Sequence, residues 1–268
     1  MAAASSLDQI GSIARTVEDA QILFEAIRGH DAQDSTSLTV GVLENITPKK
    51  KIGVPRSFLG KGVDEDIMVL FVETEKKLVA QGYEIVDVEL PHLPYSLAVY
   101  YIINPAEVST NLARFDGIRY GTRIDGENIT EVYEQSRAQG FGPETRRRIL
   151  VGSFVLSAGY ADAYYRKARA VRELIRQDFV TTFETVDAIL LPTTPTPAFK
   201  LGSHTTDPVA MYLEDIFTVP INLAGVPAMS VPVGTVVRDG ATLPVGLQLI
   251  GNHRHENVLF EVAKHIAV

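Results

Sequence analysis

The 268-residue sequence contains no cysteine. That absence excludes disulfides, thiolate nucleophiles and every cysteine-based metal or iron–sulfur site. No uninterrupted apolar run approaches the ~20 residues that a membrane helix needs. Positive charge is in deficit, because 25 Lys and Arg against 33 Asp and Glu give a net charge of −8. An acidic chain with a pI near 5.3 is a poor phosphate-backbone binder on its own, since counterion release needs clustered Lys and Arg. G-x-G-x-x-G, Walker and G-x-S-x-G patterns are all missing, so no self-contained nucleotide site or serine elbow is encoded. Of six histidines only His253 and His255 are near neighbours, too sparse a set to specify a metal. The opening Met-Ala-Ala-Ala-Ser-Ser has neither a basic n-region nor an apolar h-region, so it is not a secretory signal. A soluble cytoplasmic protein is expected, with no membrane partner.

What the sequence does contain is an ordinary globular interior: 46% hydrophobic residues at a mean hydropathy of +0.08. The length is ~1.8 times the soft one-domain value, so one large or two medium domains fit. Thr16 followed by Val-Glu-Asp predicts an N-cap, and Ala20, Leu23, Phe24 and Ile27 continue at helical spacing toward Gly29. Asp31 to Lys51 is polar and predicts a surface loop. Its Lys49-Lys50-Lys51 run is either a solvated stretch before a strand or a tRNA contact. Ile52 to Pro55 predicts a buried strand, Asp64 to Gln81 a helix closed by Gly82, and Tyr83 to Leu90 the next strand. Strand, helix, strand with short connections is a parallel βαβ unit.

From Leu97 to Arg176 helical signals dominate. A kink or split is expected at Pro105, a break at Gly140 to Pro143, and a long helix from Asp162 to Phe183. Ala188 to Pro192, Ala228 to Val233 and Val245 to Gly251 predict core strands, and Asn257 to Ile266 a closing helix. The class is α/β, a mixed central sheet covered by helices on both faces. On chemistry alone, the residues support a soluble α/β domain with an arginine cluster able to bind an anion.

Several segments carry a resemblance. Ser5-Ser6-Leu7-Asp8-Gln9-Ile10-Gly11, then Arg15-Thr16-Val17-Glu18-Asp19, is similar to the amidase signature family. So are the block from Pro220 to Pro232 and Leu243-Pro244-Val245-Gly246-Leu247-Gln248-Leu249-Ile250-Gly251. Three further segments resemble one branch, the A subunits of the Glu-tRNA(Gln)/Asp-tRNA(Asn) amidotransferases. These are Asn111 to Gly121, with its Arg-Phe-Asp-Gly-Ile-Arg-Tyr-Gly, then Arg147 to Gly152, and Asp207 to Asp215. The resemblance covers the chain after residue 4. One departure is Ser12, where the family has proline, and it concerns a turn.

The resemblance implies an amidase signature fold, incomplete at its N-terminal side, with residues 1–268 the C-terminal portion of a single such domain. In that family a Ser–Ser–Lys triad cleaves the amide, and its members lie upstream of the Ser-Leu-Asp segment. Ser5 and Ser6 match that segment and not the triad, so no catalytic residue is expected here. The expected role is substrate recognition. Glutamine carries an α-carboxylate and an α-ammonium, which call for a fixed cation and a fixed anion. By motif match, Arg148 falls on the carboxylate-binding arginine, Asp215 on the ammonium-binding acid and Tyr100 on the pocket tyrosine, with Tyr101 one residue away. The alternatives are an exposed helix face for Arg148, a surface acid for Asp215 and a core aromatic for Tyr100.

The implied function is ammonia supply from glutamine for converting Glu-tRNA(Gln) to Gln-tRNA(Gln), with Asp-tRNA(Asn) as a second acceptor. ATP and Mg would act in a partner B subunit that also binds tRNA, and a small C subunit would tie A to B. No cofactor or metal is expected in this chain. Two other readings stay open: a stand-alone amidase for a small amide, and a noncatalytic glutamine-binding or assembly module.

Overall fold

The computed structural model describes residues 2–38, 48–60, 62–203 and 208–268. Thus His204, Asp207 and residues 39–47 of the expected loop lie outside the described residues. The helices are α1 (Val17–Ile27), α2 (Glu65–Ala80), α3 (Ser96–Asn111), α4 (Ile129–Gly140), α5 (Pro143–Leu156) and α6 (Lys167–Phe183). Short α7 (Pro208–Leu213) and α8 (Val219–Ala224) precede α9 (Glu256–Ile266). The strands are β1 (Lys51–Val54), β2 (Glu84–Asp87), β3 (Ala188–Pro192), β4 (Ala228–Arg238) and β5 (Ala241–Gly251). Two compact units result, Gln9–Leu97 with Ile175–Val268, and Met1–Asp8 with Ala98–Leu174.

The first unit is built on a mixed sheet in the order β2-β1-β3-β5-β4. β1 runs parallel to β2 and β3, while β5 is antiparallel to β3 and β4. The βαβ unit read from the sequence is β1-α2-β2. Asp64 caps α2 by accepting from the Asp66 amide at 3.0 Å, and Gly82 closes it at φ +84°. Ile67, Phe71, Thr74 and Leu78 form the buried stripe of α2, one residue per turn. Each such large apolar side chain contributes ~1.5–3 kcal/mol on burial. β3 is buried along its whole length, as its unbroken apolar run requires.

β4 and β5 are each 11 residues long, longer than the expected strands. They are joined by Asp239-Gly240 with φ of +50° and +81°, the paired positive values of a two-residue hairpin turn. Arg238, at the turn, donates to the Asp64 carboxylate at 2.7 and 2.8 Å and also to Asp66. The lysine run is used locally. Lys49 Nζ donates to the Glu184 carbonyl at 2.6 Å just past the end of α6, Lys50 lies over the Tyr83 ring, and Lys51 pairs with Glu84.

The second unit is helical. α3 runs unbroken through Pro105, so the split weighed at that residue does not occur. Proline removes one hydrogen-bond donor, and the burial of Val99, Ile103, Ala106 and Val108 holds the helix together around that loss. The Asp162 start of the long helix is a π-helical turn, Asp162–Arg166, leading into α6. Gly142 and Pro143 separate α4 from α5, with Pro143 in the first turn of α5, where a missing N–H costs nothing.

Candidate functional site

Arg148 stands one turn after Glu144 on α5. Its Nε donates to Glu144 Oε1 at 2.9 Å, and Arg147 donates to both oxygens of the same carboxylate. Burial alone would raise the Glu144 pKa, but hydrogen bonds and charges from Arg147 and Arg148 outweigh it and hold the carboxyl below its usual range. The Arg148 side chain is 34% exposed, and its two Nη groups make no hydrogen bond to another described residue. A guanidinium held at Nε keeps its Nη edge available for a two-pronged bond to a carboxylate. Arg146 is exposed, as expected two residues away on a helix.

Tyr100 is half-buried on α3. Its hydroxyl accepts from Asn104 Nδ2 at 2.7 Å, and its ring meets Tyr101 edge-on at 5.1 Å and 90°. α3 and α5 cross where Gly152 lies against Pro105. A Cβ on Gly152 would overlap the Pro105 carbonyl oxygen and come within 2.7 Å of Ser109 Oγ. Measured along the helices, Tyr100 is about 7.5 Å from this crossing and Arg148 about 6 Å. Tyr100 and Arg148 thus stand on the two helices that meet at this crossing. Asp215 belongs to the other unit, in the turn between α7 and α8. It is exposed, and its carbonyl accepts from Thr218 and Val219 amides at 3.1 and 3.0 Å. The adjacent Glu214 is bound by Thr196 Oγ1 at 2.9 and 2.8 Å. Tyr100 and Arg148 therefore share a unit, and Asp215 does not.

Ser5 and Ser6 line a cavity of about 360 Å³ with Glu107, Asn111, Leu156 and Tyr165. Asn111 Nδ2 donates to Ser5 Oγ at 2.8 Å. The Ser6 amide donates to Glu107 at 2.9 Å, its hydroxyl donates to the same carboxylate, and Arg172 donates to its hydroxyl and carbonyl. These bonds fasten the Ser-Leu-Asp segment to α3 and α6. In the Arg-Phe-Asp-Gly loop, Asp116 accepts from the Ile118 and Arg119 amides at 2.9 Å each. Led by those backbone bonds, its pKa falls to about 2.

In the sheet unit a second concavity, about 820 Å³, runs between the Gln9–Glu18 segment and Gly225–Pro232. Ile10 and Ile13 beside it are each 96% exposed. Among the described residues no three His, Asp or Glu side chains gather as a metal site requires, and no helix is long and apolar enough to cross a membrane. The site residues that sequence reasoning missed are Asn104 and Gly152. A glycine inside a helix, costing ~1 kcal/mol against alanine, was the available signal for a close crossing at Gly152. Nothing in the sequence marked Asn104.

A family profile described as Amidase matches residues 1–260. A protein of Azorhizobium caulinodans, named as the A subunit of glutamyl-tRNA(Gln) amidotransferase, is 50% identical over 272 residues. The match covers 98% of this chain and 55% of that protein's own length. One of the same name from Halalkalibacterium halodurans is 51% identical over 270 residues, with the same coverage. The crystal structure of the corresponding A subunit from Thermotoga maritima superposes with a TM-score of 0.74 at 41% identity. That likeness covers 99% of this chain and 53% of that one. A 6-aminohexanoate cyclic dimer hydrolase, 19% identical with a TM-score of 0.68, shares the fold. The chain spans about half the length of the curated relatives it matches. By sequence and fold together, the chain belongs to the amidase family.

Proposed function

We propose that this chain is the glutamine-recognising part of an amidotransferase A subunit. In this reading the whole subunit hydrolyses glutamine and passes the ammonia to a tRNA-bound acyl group. Glu-tRNA(Gln) becomes Gln-tRNA(Gln), and Asp-tRNA(Asn) is the second acceptor that the resemblance admits. Arg148 binds the α-carboxylate of glutamine, Asp215 its α-ammonium, and Tyr100 forms a wall of the pocket. The observation that carries the reading is the Arg148 guanidinium, oriented through Nε by Glu144 with its Nη edge unengaged, in a chain about half identical to proteins named for this activity.

Cleavage needs an activated hydroxyl that attacks the side-chain amide carbon, so that the C–N bond breaks and ammonia leaves. By resemblance those groups, the Ser–Ser–Lys triad, belong to the half of the relatives that this chain does not span. ATP with Mg activates the acyl group in the B subunit, which carries the tRNA, and a C subunit joins A to B. The acidic charge of this chain agrees with tRNA binding elsewhere.

The test uses the full-length subunit in its complex. Arg148→Ala is expected to cost at least about 30-fold in glutamine-dependent kcat/KM, because breaking one side of a buried charge pair costs ~2–5 kcal/mol. Amidation with free ammonia should continue, since ammonia bypasses glutamine binding. A parallel loss of both activities would refute the assignment of Arg148.

A further inference from the structure

The turn that carries Asp215 is fastened on both sides by side chains of its own unit. On one side is Thr196, in the loop leaving β3, whose hydroxyl donates to the Glu214 carboxylate, 2.9 and 2.8 Å from its two oxygens. That loop is itself tied down. The Pro195 carbonyl accepts from the Asp64 amide at 2.9 Å, and the Thr193 amide donates to the Gly246 carbonyl at 3.2 Å. On the other side Gln248 of β5 donates through Nε2 to the Phe217 carbonyl at 2.9 Å. Gln248 is 5% exposed between the fully buried Leu247 and Leu249, a polar exception in an apolar strand. Neither ordinary helical donor serves that carbonyl. Three residues on stands Pro220, which has no N–H, and the Ile221 amide donates to the Thr218 carbonyl.

Asp215 lies between these anchors, one residue after Glu214 and two before Phe217. Its own carbonyl accepts from the Thr218 and Val219 amides at 3.1 and 3.0 Å, so this stretch of chain is held at Glu214, at Asp215 and at Phe217. The Asp215 side chain is exposed, and its place therefore depends on the main chain that carries it. A carboxylate on a backbone already held loses less freedom when it binds a cation. We propose that Thr196 and Gln248 are positioning residues that hold the Asp215 turn where its carboxylate meets the α-ammonium of the substrate. The inference rests on the glutamine reading above and adds to it two residues that act through the main chain.

The experiment is steady-state kinetics of the full-length subunit in its complex, with a thermal melt to confirm that each variant is folded at the assay temperature. Thr196→Val keeps the shape and removes the donor. It should raise the KM for glutamine about fivefold, the worth of one hydrogen bond, with kcat nearly constant. Thr196→Ser restores the donor and should bring KM back to within about twofold of the parent. Gln248→Met fills a similar volume without a donor and should raise KM to a similar extent. Because Gln248 is buried, Thr196→Val keeps the test open if the methionine variant folds poorly. The rise should vanish in an Asp215→Ala background and persist in full in an Arg148→Ala background, a pattern that a general loss of stability does not produce. An unchanged KM in Thr196→Val, or the same rise with Asp215→Ala as without it, overturns the proposal. If Asp215→Ala by itself raises KM in that case, the glutamine reading survives. If neither Asp215→Ala nor Arg148→Ala raises KM, both fall.

Discussion

Gly152 of α5 is in backbone contact with Pro105 of α3, with no room between them for a side-chain carbon. The crossing is set by these two residues because the obstacle is a main-chain carbonyl, which cannot rotate aside as a side chain can.

Gly152→Ala is accordingly expected to destabilise the protein. Alanine in a helix normally gains ~1 kcal/mol over glycine, and overpacking against fixed backbone costs about 1–3 kcal/mol or more. The net change should be a loss, read as a lower midpoint in urea with an unchanged slope. A higher midpoint would mean that the helices cross less closely.

The Glu144 carboxylate orients Arg148 through Nε. Glu144→Gln should therefore raise the KM for glutamine several-fold, by ~0.5–1.5 kcal/mol for one hydrogen bond. Arg146→Ala, which removes an exposed charge worth ~0–1 kcal/mol, should leave KM within about twofold. Equal effects of Arg146→Ala and Arg148→Ala would place the arginines in support of the fold and not of the pocket.

Asp116 supplies a pH-dependent feature. Its pKa is lowered to about 2 in the folded chain, so its contribution to stability is present above its ordinary value near 3.9. That contribution is lost as pH falls toward the folded value. Hydrogen exchange of the Ile118 and Arg119 amides should quicken, relative to intrinsic rates, as pH drops from about 4 to 2. Asp116→Asn should remove that pH step. A step that persists in the variant would assign it to another carboxylate.

Ile10 and Ile13 give the isolated 268-residue chain an apolar rim, next to β4 at the edge of the described sheet. Exposed apolar surface and open strand edges both promote association. Sedimentation velocity should show oligomers of the chain, and Ile10→Asp with Ile13→Asp should shift them toward monomer. A monodisperse wild-type monomer with a cooperative melt would count against the expectation.

Much of this architecture is legible from local pattern. Thr16, Asp64 and Pro143 mark helix starts because the signals lie within one turn of each other, and β1-α2-β2 follows from its short connections. Of the β4–β5 hairpin, the apolar runs predict only the two strand cores. Pro105 misleads because its cost is local, whereas the packing that overrides it is tertiary. At the candidate site, motif matching reaches Arg148, Asp215 and Tyr100. Asn104 is out of its reach, since burial and hydrogen-bond direction are properties of the folded chain.

The Glu144 cluster has one more consequence, seen by counting charge. Two guanidiniums and one carboxylate sum to +1, which a single bound monocarboxylate brings to zero. Arginine does not titrate in the working range, and Glu144 is held ionised by its neighbours. Well above the ordinary carboxylate range this balance is constant, so Arg147, Arg148 and Glu144 set a fixed electrostatic valence. On the proposed function, any pH dependence of glutamine capture must then arise from groups outside this triplet.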